Sequence, residues 1–210
     1  MPVPALCYLI KNRYGKHDAI SRAVKACVDG YVSKRMYDDY RRMEPYLKDS
    51  KTILDIGVGM GMMYKIFSSR GYQVQGVDVT DLSIYPDVRP TIYNGYRLDF
   101  PNKNFDAAVL DRVLHHCGKN QEAVLCEALR VAKRVFIIED VYRNLLEKLI
   151  VGFNDSTANW EWRGHRYRDV AGWKQVIGAL GGTVVHSETW LEIPQITFYV
   201  PHALFVVDPK

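Results

Sequence analysis

Two carboxylates and three glycines offer the clearest chemistry in this chain: Asp55, Gly57, Gly59, Gly61 and Asp78. Glycines at alternate positions let a backbone turn tightly and approach a ligand with no Cβ in the way. A carboxylate can accept the hydrogens of both ribose hydroxyls. Asp78 follows Gly57 by 21 residues, about the spacing of that contact in one βαβ unit. The pattern therefore predicts a site for a nucleotide-like ligand.

The glycine spacing discriminates between nucleotide ligands. A dinucleotide site requires G-x-G-x-x-G, whereas Met62 stands at the position of the last of those glycines. The chain also lacks G-x-x-x-x-G-K-[ST], which excludes a P-loop. An ordinary strand-to-helix turn with a capping aspartate remains the alternative when this segment is taken alone.

Short apolar strands must position these residues. Thr52–Ile56 is apolar and rich in β-branched residues, as a strand covered on both faces requires, and residues 74–78 predict a second strand. A helix over residues 62–70 points its first N–H groups at the same crevice. Further strands are predicted at 91–93, 107–111, 134–139, 183–190 and 203–207.

The run D-I-G-V-G-M-G resembles the first motif of class I S-adenosylmethionine-dependent methyltransferases. Residues 98–110 resemble that family's L-P-F-x-x-x-x-F-D-x-V segment, although Asp99 replaces the proline, and residues 111–116 resemble its V-L-H-H segment. Residues 127–131 resemble E-x-x-R-V, but the K-P-G-G turn usual before the fifth strand is missing. The likeness covers about residues 51–140 and is closest to the small-molecule branch called type 11.

The resemblance implies an α/β fold, a three-layer α/β/α Rossmann-like sandwich. Its sheet would be mostly parallel and seven-stranded, of order 3-2-1-4-5-7-6, with the last strand antiparallel. Residues 1–50 would form an N-terminal helical extension or lid, and 51–210 the methyltransferase domain. An insertion at about 142–170 would cover the substrate.

The resemblance also implies S-adenosyl-L-methionine as cofactor and S-adenosyl-L-homocysteine as product. An acid such as Asp55 orients the cofactor's ammonium in that family. An acid usually holds the adenine amine where this chain has Asn94, whose amide oxygen accepts without charge. The residues implied in cofactor binding are Asp55, Gly57, Gly59, Gly61, Asp78, Val79, Asn94, Gly95, Asp111, Arg112 and Tyr37.

Catalysis is expected at the C-terminal ends of the fourth and fifth strands. Methyl transfer needs an aligned nucleophile and exclusion of water, and a general base only where the acceptor is protonated. The candidates are His115, His116, Asp140 and His165, although a role of the His pair in the fold stays open. Since neighbours on a strand face opposite ways, only one of Glu139 and Asp140 can look into the site. No metal site is expected.

The expected acceptor is a small molecule methylated on oxygen or nitrogen. The aromatic residues of 142–170 would wall its pocket and the arginines bind a carboxylate or phosphate, unless the segment is a plain surface helix and loop. The aromatic residues and the histidine are Phe153, Trp160, Trp162, His165 and Tyr167, and the arginines Arg143, Arg163, Arg166 and Arg168.

Composition argues against a dedicated nucleic-acid binder. The net charge is +4 with dispersed basic residues, and no base-flipping motif follows the fourth strand. The four cysteines show no C-x-x-C spacing and predict reduced thiols of a cytoplasmic protein. The oligomeric state stays open.

The N-terminal segment supports alternative hypotheses about the function. Residues 1–30 are basic, and apolar residues 5–10 could touch a membrane surface, so an RNA or lipid methyltransferase is the second hypothesis. A catalytically inactive cofactor-binding partner subunit is the third. A solvated, partly mobile arm is the favoured interpretation, followed by helices over 21–28 and 32–47 split near Gly30. On the second of these helices, Met36, Tyr40, Met43 and Leu47 fall on one face, and this apolar stripe predicts core packing.

Overall fold

The fold is a seven-stranded sheet with helices on both faces. The computed structural model describes residues 5–159, 165–192 and 200–210, with side chains at all of these except 5, 6, 154, 155 and 157–159. The strands are β1 Thr52–Ile56, β2 Gln73–Asp78, β3 Thr91–Ile92, β4 Phe105–Asp111, β5 Ala132–Asp140, β6 Gly182–Glu192 and β7 Val200–Pro209. The α-helices are α1 Ala5–Arg13, α2 Ala19–Cys27, α3 Ser33–Met43, α4 Met62–Ser69, α5 Gln121–Val131, α6 Leu145–Asn159 and α7 Val170–Ala179.

The strand order is β3-β2-β1-β4-β5-β7-β6, which confirms the predicted topology. The first five strands pair in parallel, and β7 runs antiparallel to both β5 and β6. The parallel strands therefore bring their C-terminal ends, with Asp55, Asp78 and Asp111, to one edge.

Alternate residues of each central strand enter two different cores, which explains why the strands are apolar throughout. Ile53 and Phe136 pack with Tyr40, Met43 and Phe67 on the side of α3 and α4. On the other side, strand residues pack with Leu125 of α5 and Trp173 of α7; they include Leu54, Ile56, Leu110 and Ile137. The predicted core role of the α3 stripe is thereby confirmed.

The N-terminal segment differs from the prediction in two ways. Gly30 does not split the helices, because it lies in a π-helical turn, Val28–Val32, that joins α2 directly to α3. A solvated arm is also wrong for α1: Ile10 is buried and packs with Val28 and Met62.

Without a K-P-G-G turn, either the turn before the fifth strand must be tighter or that strand must start differently. Both hold, because α5 ends at Val131 and β5 begins at Ala132, two residues before the predicted start. Within the described ranges, no helix is long and apolar enough to cross a bilayer.

Candidate functional site

The glycine loop between β1 and α4 has three residues in the left-handed region, where a side chain is strained. Gly57, Gly59 and Gly61 have φ of 81°, 52° and 87°. A Cβ on Gly57 would lie 2.5 Å from a methyl of Val113, so the first glycine permits close packing against the segment after β4. At Gly59 the nearest atom to an added Cβ is a backbone oxygen 3.9 Å away, so this glycine borders open space.

Asp78 at the end of β2 holds this loop. Its Oδ2 accepts a hydrogen bond from the Gly59 N–H at 2.8 Å, and its Oδ1 accepts one from the Val79 N–H at 2.6 Å. Burial raises the pKa of the Asp78 carboxyl, and these backbone donors oppose that rise. Oδ1 also accepts from the Thr80 N–H at 3.3 Å, whereas Oδ2 keeps a second lone-pair direction for a hydroxyl hydrogen.

Asp55 is a buried acid with an unsatisfied oxygen. It is 2 % exposed, and among the residues that the structure describes its Oδ2 has no hydrogen-bond partner. Burial, then the nearby carboxylates of Asp111 and Asp78, raise its pKa to about 8. Burial likewise raises the pKa of Asp111 to about 6, against the lowering effect of Arg112. A desolvated group of carboxylates with one unpaired oxygen suits a ligand that carries a positive charge.

Arg112 ties the end of β4 to α3. Its Nη1 lies 2.7 Å from Asp39 Oδ2 and 2.5 Å from Asp111 Oδ1. Although burial opposes the charge, the surrounding carboxylates keep its pKa well above the usual value. Arg112 also has a left-handed backbone, φ 55°, and its N–H donates to the Ile138 carbonyl. Asp39, on α3 of the N-terminal extension, thus holds Arg112 in place beside Asp111.

His202, which no sequence motif indicates, extends this charged network. The side chain is fully buried, with Nδ1 2.7 Å from Asp140 Oδ1 and Nε2 2.7 Å from Glu192 Oε2. Although burial acts to raise the pKa of Asp140, His202, His115 and Arg112 hold it far below its usual range. No local spacing marks His202, because its partners come from other strands.

Three of the four predicted catalytic residues meet on the other face of the sheet. Glu139 is fully buried and accepts from the Leu114 N–H at 2.7 Å, and its Oε2 lies 2.6 Å from His115 Nδ1. His116 Nδ1 lies 3.1 Å from His165 Nε2. Burial, then His115 and His165, lower the pKa of His116 to about 2.

Asp140 stands apart from these imidazoles. Glu139 faces His115, whereas Asp140 faces Arg112 and His202, as adjacent residues of a strand must. The structure therefore brings His115, His116 and His165 together and places Asp140 in the charged network on the opposite face.

Two predicted cofactor contacts lie in unexpected places. The Asn94 side chain is exposed, and its Oδ1 accepts from the N–H groups of Tyr96 and Arg97, so it caps its own turn; Gly95 beside it is buried. The Tyr37 hydroxyl accepts from Arg70 Nη2 at 2.7 Å. Because Arg70 follows the C-terminus of α4, whereas the glycine loop precedes its N-terminus, the structure does not bring Tyr37 to that loop.

The arginines of the expected substrate cover are held by acids of the protein. Arg143 pairs with Glu147, and Arg168 lies 2.8 Å from Glu122, which Arg166 also approaches at 3.6 Å. Trp160, Trp162 and Arg163 lie outside the described residues. These pairs leave the described arginines poorly placed to select an anionic acceptor.

The E-x-x-R-V segment has a structural task. Arg130 donates to the carbonyls of Leu98 and Phe100 at 2.9 and 2.7 Å, while Glu127 accepts from the Leu98 N–H at 2.8 Å. This pair on α5 clamps the loop before β4 and so supports the strand that ends in Asp111.

Helix α1 covers the nucleotide side of the crevice. Lys11 Nζ donates to the Asp81 carbonyl at 2.5 Å and pairs with its carboxylate at 3.1 Å. Burial, then the charge of Asp78, raise the pKa of the Cys7 thiol to about 11. Ile10 of α1 packs with Met62 at the start of α4, so α1 lies against the end of the glycine loop. The N-terminal helix is therefore part of the site's wall.

Comparison with known proteins agrees with this geometry. Residues 54–136 match a family model described as a methyltransferase domain. A Methanosarcina mazei S-adenosylmethionine-dependent methyltransferase is similar in structure, at TM-score 0.65 and 18 % identity over 81 % of this chain and 97 % of that one. A Burkholderia thailandensis 1,6-didemethyltoxoflavin N1-methyltransferase, solved with its substrate and S-adenosylhomocysteine, has TM-score 0.65 and 19 % identity over 100 % of this chain and 92 % of that one.

The matched segment and the sheet order define the class of fold: a Rossmann-like methyltransferase fold, in which residues 54–136 match a methyltransferase domain. No curated protein is similar enough in sequence to match. The same fold also occurs in the [4+2]-cyclase SpnF, at TM-score 0.62 and 13 % identity over 85 % of this chain and 80 % of that one. The particular reaction must therefore be argued from the site.

Proposed function

We propose that this protein binds S-adenosyl-L-methionine and transfers its methyl group to oxygen or nitrogen of a small molecule. The observation that carries the proposal is the buried, unsatisfied carboxylate oxygen of Asp55, close to Asp78 and Asp111 at the mouth of the glycine loop. A cofactor with an ammonium and a sulfonium supplies the positive charge that such a group favours.

Different residues would bind different parts of this cofactor. Asp55 and Asp111 would face the cationic end of the cofactor. Gly57 and Gly59 would let the amino-acid part of the cofactor approach the backbone closely, and Asp78 would accept hydrogen bonds from the ribose hydroxyls. Val79, Asn94 and Gly95 would border the adenine, and Gly61 and Arg112 would shape the crevice. Tyr37 is the weakest of the predicted contacts because of its bond to Arg70.

The acceptor would lie beside the imidazoles of His115, His116 and His165. The bound cofactor supplies a methyl group on sulfur, which passes to an acceptor lone pair while the carbon–sulfur electron pair stays on sulfur. A proton lost by an acceptor hydroxyl needs a base, and Glu139 orients the His115 ring for that task. Asp140 would not contact the acceptor, and it would influence the site only through its ion pair with Arg112.

An uncharged acceptor fits this side best, because the described arginines pair with acids of the protein. Methylation of RNA through the N-terminal segment is less favoured, since Lys11, Arg13 and Lys25 pair with aspartates. All four cysteines are free thiols, which supports a cytoplasmic location.

Calorimetric titration with S-adenosylhomocysteine, beside NADH, tests the proposal. We expect micromolar binding of the former and none of the latter, with affinity lost in Asp78→Ala. The matched control is Asp87→Ala, which removes an exposed carboxylate paired with Lys65 outside the crevice. Failure of the folded wild-type protein to bind would favour the inactive partner subunit, and binding of NADH would refute the cofactor assignment.

A further inference from the structure

An apolar surface lies on the outer side of α1 and α6. Its members are large apolar side chains between 50 % and 72 % exposed, here called the apolar face: Tyr8, Leu9, Leu145, Leu146, Leu149 and Phe153. The two helices pack side by side. On α6, positions 145, 149 and 153 recur every fourth residue and so share one side, whereas Val151 is buried. Exposed apolar side chains concentrated on two neighbouring helices are typical of an interaction site.

Basic residues accompany the apolar face. The segment 5–25 contains five lysines and arginines and one acid; because Lys11, Arg13 and Lys25 pair with aspartates, the positive charge of this segment toward lipid comes from the other two. Lys16, Arg22 and Lys148 are exposed. Nearby carboxylates are neutralised within the protein: Asp18 pairs with Arg13, and Glu147 with Arg143. The net charge presented around the face by the described side chains is therefore positive.

We propose that the apolar face docks on the surface of an anionic lipid bilayer. Apolar side chains enter the boundary between headgroups and acyl chains, and lysines and arginines beside them attract anionic headgroups. The described helices are too short or too polar to span the bilayer, so the contact is peripheral. A second copy of the chain fits less well, because a symmetric contact would bring both sets of basic residues together.

The inner side of α1 would bring the crevice close to the bilayer. Lys11 pairs with Asp81, and Ile10 packs with Met62 beside the glycine loop, so the helix that would rest on lipid also borders the crevice. A docked protein would present the edge of its crevice to the bilayer. This inference concerns where the protein works and does not depend on the acceptor.

Vesicle co-sedimentation tests the proposal. The full chain is mixed with vesicles of phosphatidylcholine alone and of an equal mixture of phosphatidylcholine and phosphatidylserine, at low and high salt. We expect binding to the anionic vesicles that salt weakens. The double variant Leu145→Ser, Leu149→Ser should reduce binding at least tenfold, and Lys16→Ala and Lys148→Ala about fivefold each.

Matched controls remove the same chemistry elsewhere. Val185→Ser changes an exposed aliphatic residue of β6, and Lys174→Ala an exposed lysine of α7; both should bind like wild type. Absence of binding by the folded wild type would overturn the proposal, as would binding that the face variants leave unchanged. A wild-type dimer that the leucine variant separates, without vesicle binding, would assign the face to a second copy. Titration of S-adenosylhomocysteine into the same variants tests the proposed cofactor binding independently of lipid binding.

Discussion

The carboxylate of Asp78 accepts a hydrogen bond from the Gly59 N–H at 2.8 Å, so the acid that ends β2 holds the loop that follows β1. The two segments are neighbours because β1 and β2 pair in parallel, with Ile56 opposite Val77. One residue thus serves both the fold and the proposed ribose contact.

This double role predicts two separable effects at position 78. Asp78→Ala should lower the free energy of unfolding by about 1–3 kcal/mol, since it leaves the partly buried Gly59 N–H without its acceptor. Asp78→Asn keeps an oxygen for that N–H and should cost less stability, yet still weaken binding of S-adenosylhomocysteine at least tenfold. Urea denaturation and calorimetry measure the two effects; equal stability of both variants would contradict the structural role.

Cofactor affinity should rise with pH. The buried Asp55 carboxyl, with its pKa raised to about 8, is largely protonated at neutral pH. A cationic ligand favours its ionised form, so binding should release protons and affinity increase toward pH 8, by at most about tenfold per pH unit for one linked proton. Calorimetry of S-adenosylmethionine in two buffers of different ionisation enthalpy measures the release. Asp55→Asn should abolish that part of the pH dependence.

The same shift predicts how stability depends on pH without ligand. A carboxyl whose pKa is raised on folding favours the folded state when protonated, and this contribution is lost as pH rises from the unfolded value of 3.8 through about 8. Thermal unfolding between pH 6 and 9 should show a falling melting temperature in wild type and a flatter profile in Asp55→Asn. Parallel profiles would contradict the assignment.

Gly57→Ala should destabilise the protein by about 2–4 kcal/mol. The substitution strains a backbone with φ of 81° and places a methyl 2.5 Å from Val113. Gly71→Ala is the matched control, because its φ is 87° but nothing lies within 4 Å of an added Cβ. It should cost only the backbone strain, about 1–2 kcal/mol. Urea denaturation compares them, and partial rescue by Val113→Ala would identify the contact.

Removal of His202 should cost about 3–5 kcal/mol of unfolding free energy. His202→Gln leaves the buried carboxylate of Asp140 and the partly buried carboxylate of Glu192 without the group that lies 2.7 Å from each. The control is His186→Gln, a partly exposed imidazole stacked on Tyr46. Adding Asp140→Asn to His202→Gln should recover stability, because one buried negative charge is removed. A double variant no more stable than the single one would argue against the charge pairing.

Local signals in the sequence were enough for the sheet and the glycine loop. Apolar strands, three glycines at alternate positions and a strand-ending acid express short-range preferences. The order of the strands in the sheet was implied by the family that these motifs resemble, since spacing alone does not give it. The missing turn before β5 was equally local, since it concerned only Val131 and Ala132.

Tertiary structure decided which side chains meet. Asp140 and His202 are partners because β5 and β7 pair antiparallel with these residues opposite each other, and Glu192 reaches them from the end of β6. The two faces of β5 separate Asp140 from Glu139 and give His115 its partner. No local pattern encodes such contacts, because they depend on strand register and on the packing of segments distant in sequence.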